Sequence, residues 1–193
     1  APMLYIGEKV GTKNGPKLDI AVDPLEGTNF VAKNLPNSFS VLTVTEKDNL
    51  FFAPDTYMEK IAIGTNLPKD LIDLDYSVEK NIKRLADAKN VNPENLTVCI
   101  LDRPRHKEII SSLKSLKVKL KLISDGDVSG VIYVADRNSP VDMYLGIGGG
   151  PEGVLAAGAL SCYGGQIQTR LVLTEDEKLR AKRLETPRVK VPK

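Results

Sequence analysis

Apolar and polar positions divide the chain into two kinds of stretch. Before residue 77, short apolar or alternating runs are punctuated by turn formers. They lie at residues 3–6, 20–22, 38–45, 50–53 and 58–63. Each has the length of a strand rather than a helix. The β-rich run at 38–45, the turn at 46–49 and the apolar run at 50–53 together predict a hairpin, which Pro54-Asp55-Thr56 ends. Residues 11–17 read as a loop.

From residue 77 the period changes. Val78, Ile82, Leu85 and Ala86 recur at helical spacing behind Ser77, a predicted N-cap. Asn92-Pro93-Glu94 predicts a single helical turn. A buried-type strand over 96–101 is followed by Ile109, Ile110, Leu113 and Leu116 at helix spacing. Val118, Leu120 and Leu122 alternate with lysines, so the next strand has one wet face. Residues 128–135 read as helix and 141–147 as strand. A helix opens at Gly148-Gly149-Gly150-Pro151-Glu152 and stops at Gly164-Gly165. Strand–helix pairs repeated three times predict a βαβαβα unit with a parallel sheet from about residue 96. The fold class is therefore α/β, layered, with a mixed or antiparallel sheet in the N-terminal part. Residues 166–173 extend it as a strand. Thr174 to Glu177 read as a capping box opening a basic helix, and 187–193 as a basic tail. The expected division is 1–76, 77–186 and 187–193.

Composition narrows the function. A chain of 193 residues can bury a sizeable core, and a net charge of +2 lacks the basic excess of a dedicated nucleic-acid binder. No apolar run approaches the roughly 20 residues that span a bilayer. Two cysteines, Cys99 and Cys162, outside any Cys-x-x-Cys pair, and a single histidine argue against a zinc site and for a reducing, cytoplasmic setting. The chain starts at Ala1, in an apolar run, which reads as a piece of something longer.

The chemistry concentrates in Asp19-Ile-Ala-Val-Asp23-Pro24-Leu25-Glu26-Gly27-Thr28. A strand delivers two acids to a corner stiffened by Pro24 and closed by Gly27. Asp23 and Glu26 can converge there on a hard cation, Mg²⁺ or Mn²⁺, with the Thr28 hydroxyl beside them. The three predicted parallel strands end in Arg103 and Arg105, in Asp125 and Asp127, and in Gly149 and Glu152. Ligands bind beyond such strand ends. Arginines flanking Pro104 suit phosphate, particularly beside metal-ligating acids. Asp125-Gly126-Asp127 either accepts sugar hydroxyls or caps the next helix. Glu152 is either an ordinary helix-start acid or a third metal ligand. The Gly148–Gly150 run opens a helix N-terminus to an anion. Tyr57, at a loop-to-strand junction, either packs or covers a ligand. His106 is assigned no role. Together these residues point to metal-assisted attack of water on a phosphate ester, with Thr28 orienting the water.

Asp23-Pro24-Leu25-Glu26-Gly27-Thr28 resembles the D-P-[IL]-[DE]-G-[ST] motif of lithium-sensitive, metal-dependent phosphatases. Glu26 rather than Asp makes it similar to the class II fructose-1,6-bisphosphatases. So do the stretch from Ala53 to Lys60, Arg103-Pro104-Arg105-His106, Ser124-Asp125-Gly126-Asp127-Val128, and Gly146 to Gly153. The resemblance implies metal ligation by Asp23, Glu26 and Glu152. It implies substrate contacts from Glu26, Gly27, Thr28, Tyr57, Arg103, Pro104, Arg105, Asp125, Gly126, Asp127 and Gly149, with Thr28 assisting the catalytic water. The implied reaction is hydrolysis of the 1-phosphate of fructose 1,6-bisphosphate, a gluconeogenic step, with Mg²⁺ or Mn²⁺. The expected partners are a sugar bisphosphate and further copies in a homo-oligomer, with no nucleic acid and no membrane. The family carries more acidic ligands upstream, one in a G-E-G-E segment, so these residues hold an incomplete metal set. The alternatives are a non-catalytic phosphosugar-binding remnant and an inositol-phosphate phosphatase.

Overall fold

Residues 7–173 are described by a computed structural model. The expectations for 3–6 and for the capping box, helix and tail beyond 173 lie outside the described residues. The elements are β1 (Leu18–Glu26), α1 (Thr28–Ala32), β2 (Phe39–Glu46), β3 (Tyr57–Ile63), α2 (Val78–Lys89), β4 (Thr97–Leu101), α3 (Lys107–Ser115), β5 (Lys119–Ile123), α4 (Asp127–Ile132), β6 (Met143–Gly149), α5 (Gly150–Tyr163) and β7 (Gln166–Val172).

The βαβαβα expectation holds. β4 pairs in parallel with β5 on one side and with β6 on the other. The sheet is mixed, in the order β5-β4-β6-β3-β7, with β3 antiparallel to both β6 and β7. β3 precedes residue 77, so this sheet draws on both of the expected parts. The chain leaves β4 for β5 and then crosses to β6 on β4's far side. Right-handed crossovers in opposite directions place their helices on opposite faces. Accordingly Leu113 of α3 packs with Ile61, Ile82, Leu85 and Leu145. Val131 of α4 packs on the other face with Ala62, Cys99, Tyr144 and Leu160. Such a reversal opens a crevice beyond the strand ends.

α2 begins as predicted, with Ser77 Oγ accepting from the Lys80 N–H at 3.2 Å. α5 ends at Gly164, whose φ of 77° is the left-handed cap a glycine supplies. α5 is apolar on nearly every side because it is covered twice. One side packs on the sheet; the other receives the β1–β2 ribbon, with Thr43 against Gly158.

The expected hairpin between 38–45 and 50–53 does not form. β2 pairs with β1 instead, Ile20 opposite Val44 and Val22 opposite Leu42, and 50–53 is not a strand. One further bond lies just past the paired ends, the Lys47 N–H after β2 donating to the Lys17 carbonyl before β1 at 3.2 Å. Ribbon residues Ala21, Asp23, Val41 and Thr43 are half-buried; Leu18, Ile20, Val22, Leu42 and Val44 point outward, exposed. No helix among the described residues is long and apolar enough to cross a membrane.

Candidate active site

The acidic corner is a bulged strand end, not a free turn. Register slips between Asp23 and Glu26, where Pro24 has no N–H to give the ladder. Hydroxyls of the partner strand hold the slipped carbonyls, Ser40 Oγ on Pro24 at 2.6 Å and Ser38 Oγ on Glu26 at 2.8 Å. Asp23 Oδ1 accepts the Leu25 N–H at 3.0 Å. Gly27 then turns the chain with φ 77° into α1, a five-residue helix that the hydrophobic pattern did not announce.

The corner is clasped to the Asp125 loop by a reciprocal exchange. Glu26 Oε1 accepts the Val128 N–H in the first turn of α4 at 2.8 Å. Asp125 Oδ2 accepts the Asn29 N–H in the first turn of α1 at 2.9 Å. Each acid precedes a left-handed glycine, Gly27 or Gly126, and caps the helix that the other acid introduces. The Phe30 ring fills the space between them. A Cβ on Gly27 would lie 2.7 Å from its Cδ2, and one on Gly126 2.9 Å from its Cε2. Phe30 and Asn29 were missed from sequence, because a five-residue helix shows no period.

Burial, before any other cause, raises the Glu26 carboxyl to about 7, and the nearby acids Asp23 and Asp127 add to it. The Asp23 carboxyl lies within hydrogen-bonding reach of it. Two acids pressed together at the end of a strand are costly alone and favourable around a hard cation. The donors are all oxygen, which fits Mg²⁺ or Mn²⁺ and not a thiolate-seeking metal. Glu152, in the first turn of α5, folds its carboxylate back over Gly149. Among the described residues no three Asp, Glu, His or Cys side chains form a group able to hold a metal, so Glu152 does not close one with Asp23 and Glu26.

Below the strand ends lies a buried charge that the sequence reading did not single out. Lys60 in β3 is fully buried and ion-pairs with Asp127, which also accepts from the Tyr144 hydroxyl. Lys60 donates a further bond to the Gly149 carbonyl at 2.6 Å. Both Asp127 oxygens are thus engaged inside the protein. A lysine leading directly into the apolar run Ile61-Ala62-Ile63 was the available signal. The anion site expected at Gly148–Gly150 is partly spent, since the Gly150 N–H goes to the Thr56 carbonyl at 2.7 Å.

The arginines diverge. Arg103 stands 3.7 Å from Asp125. Arg105 donates through Nε and Nη2 to the Ile147 carbonyl, at 3.0 and 2.7 Å, and lies over the Tyr57 ring, 4.8 Å from its centroid. Pro104, Arg105, Thr28 and Tyr57 are exposed. Tyr57 pairs with Gly149 in register, so it flanks the glycine loop. Arg103, Asp125 and Gly149 thus lie at the carboxyl ends of β4, β5 and β6, with Glu26 clasped to the loop after β5.

His106 braces this end of the sheet. It is buried, its Nδ1–H donating to the Leu101 carbonyl at 2.7 Å and its Nε2 accepting the Ile147 N–H at 2.8 Å. Burial first, and Arg105 nearby, hold its pKa below 6.5. A lowered imidazole pKa means the unfolded chain takes the proton first. This contribution is complete above pH 6.5 and is lost as pH falls from there through the folded value. The raised Glu26 pKa acts in the opposite sense, favouring the fold as pH falls from 7. The expected result is therefore a difference: between pH 8 and pH 5, Tm of the native chain falls more than Tm of a His106→Leu variant. Parallel curves would contradict it.

The chain is 44% identical over 172 residues to a fructose-1,6-bisphosphatase class 2 of Haemophilus influenzae, covering 89% of this chain and 51% of that protein. It is 45% identical over 184 residues to a D-fructose 1,6-bisphosphatase class 2/sedoheptulose 1,7-bisphosphatase of Synechocystis, covering 89% and 53%. The corresponding protein of Microcystis aeruginosa is 44% identical over 184 residues, with the same coverage. The chain spans about half the length of the curated relatives it matches. A family model matches residues 1–190, and with it the chain belongs to the family of bacterial, glpX-encoded fructose-1,6-bisphosphatases.

Proposed function

We propose that this chain carries the catalytic corner of a metal-dependent fructose-1,6-bisphosphatase, which hydrolyses the 1-phosphate of fructose 1,6-bisphosphate to fructose 6-phosphate and phosphate. The observation that carries the reading is the paired Asp23 and Glu26 carboxylates, clasped to the Asp125 loop. Asp23 and Glu26 would hold Mg²⁺ or Mn²⁺, with Glu152 of α5 standing outside this pair. When bound, the cation supplies charge neutralisation at the phosphoryl oxygens and a more acidic water. The chain's own groups do the rest. The exposed Thr28 hydroxyl oxygen accepts a hydrogen bond from the attacking water and orients it. Arg103 and Arg105 offer fixed positive charge to the phosphates. Tyr57 covers the sugar beside Gly149. The water oxygen bonds to phosphorus as the water gives up a proton, the bond from phosphorus to the sugar oxygen breaks, and that oxygen leaves carrying the proton the water gave up. The setting is a cytoplasmic, gluconeogenic one, and the working form is a homo-oligomer.

Phosphate release from fructose 1,6-bisphosphate tests this reading. Turnover is expected with Mn²⁺ or Mg²⁺, none after chelation, and recovery when metal is returned. Sedoheptulose 1,7-bisphosphate is the second substrate to try, since two of the relatives carry it in their names. Sugar-phosphate binding without turnover in the presence of metal would reassign the chain to a binding role. Faster hydrolysis of an inositol phosphate would reassign the substrate.

A further inference from the structure

Lys60 sits one bond away from each of two backbone segments that carry expected metal ligands. On one side it pairs with Asp127, the first residue of α4, and the next N–H of that helix, Val128, holds the Glu26 carboxylate at 2.8 Å. On the other it holds the Gly149 carbonyl at 2.6 Å, against whose Cα the Glu152 carboxylate rests. The peptide between Gly149 and Gly150 is thereby gripped at both ends, its oxygen by Lys60 and its N–H by the Thr56 carbonyl at 2.7 Å. The fold makes room for this arrangement. A Cβ on Gly148 would strike the Asp127 carboxylate, and one on Gly153 would stand 3.0 Å from Lys60 Cε. An ammonium with no exposed surface, followed in its strand by the buried Ile61, Ala62 and Ile63, carries a desolvation cost that an apolar side chain would avoid. Tyr144 completes the set by donating to the second Asp127 oxygen, so neither charge is left unpaired.

We propose that Lys60 is a positioning residue that, through Asp127 and the start of α4, sets the placement of the Glu26 carboxylate and so tunes the affinity of the site for a divalent cation. Groups that orient metal ligands from behind typically change metal affinity about 10- to 100-fold when lost. The proposal rests on the metal-binding part of the function given above. The competing role is purely structural, in which Lys60 only neutralises a buried Asp127.

The two roles separate in a double substitution. Lys60→Met alone leaves Asp127 buried without its cation and is expected to lower Tm. Adding Asp127→Asn removes the orphaned charge and should restore most of that Tm. Mn²⁺ binding to the native chain and to the double variant is then read from the free-ion signal in electron paramagnetic resonance, with no substrate present. A double variant of recovered Tm whose Mn²⁺ dissociation constant is raised about tenfold or more supports the positioning role. Recovered Tm with unchanged Mn²⁺ affinity overturns it. If the double variant stays unstable, Tyr144→Phe, which removes one donor to Asp127 and keeps the charges, is read the same way. A native chain with no measurable Mn²⁺ binding also overturns the proposal. A native chain that binds Mn²⁺ yet releases no phosphate refutes the hydrolase reading alone and leaves the comparison of affinities intact.

Discussion

Replacing Glu26 by Gln is expected to leave the fold intact and to lower metal-dependent phosphate release about a thousandfold, the several kcal/mol that a catalytic cation supplies. The substitution is informative because Glu26 has two separable tasks. Its Oε1 accepts the Val128 N–H, a bond that a Gln carbonyl oxygen can also accept. Its charge is favoured by the Val128 N–H, but burial first, and Asp23 and Asp127 with it, outweigh that bond in the protein alone. The variant should therefore unfold at the same temperature as the native chain or a higher one at pH 8, where the native carboxylate is ionised. Loss of turnover with retained or raised Tm marks Glu26 as a metal ligand. Near-native turnover would remove it from the site.

Phe30→Ala is expected to cost about 3 kcal/mol, at the lower end for a buried Phe, and to lower Tm by roughly 10 °C. Phe30 is 9% exposed, and its ring is what separates Gly27 from Gly126. Without it the two motifs keep only the exchanged bonds from Val128 to Glu26 and from Asn29 to Asp125, and phosphate release should fall with stability. The neighbouring Val31, 52% exposed on the same helix, is the control. Val31→Ala should change stability by no more than about 0.5 kcal/mol. Equal effects from the two substitutions, measured by thermal unfolding, would show that α1 does not hold the corner through Phe30.

The parts of the fold readable from sequence were those encoded locally. The lengths and periods of 78–86, 96–101 and 109–116 identified helix, strand and helix, and chain order with right-handed crossover implied parallel pairing. The strand-end residues followed, because a parallel unit places all its carboxyl ends together. Pairing partners were harder. The pattern at 38–45 marks a strand but does not name the strand beside it, and its partner is β1 rather than the apolar run nearer in sequence at 50–53. The clasp is harder still. Its two bonds join residues separated by 96 and 102 positions, and its helices are too short to show a period. Lys60 is the instructive case: a buried lysine becomes intelligible only once Asp127 and Gly149 are known to flank it.

The central claim is that the corner at Asp23 and Glu26 is where the cation sits. Crystals of the chain grown with Mn²⁺ and measured for anomalous scattering at the manganese edge test it directly. The expected result is a strong peak within coordination distance of both the Asp23 and Glu26 carboxylates, absent in Glu26→Gln crystals. A well-occupied Mn²⁺ elsewhere, with Asp23 and Glu26 bare, would contradict the account.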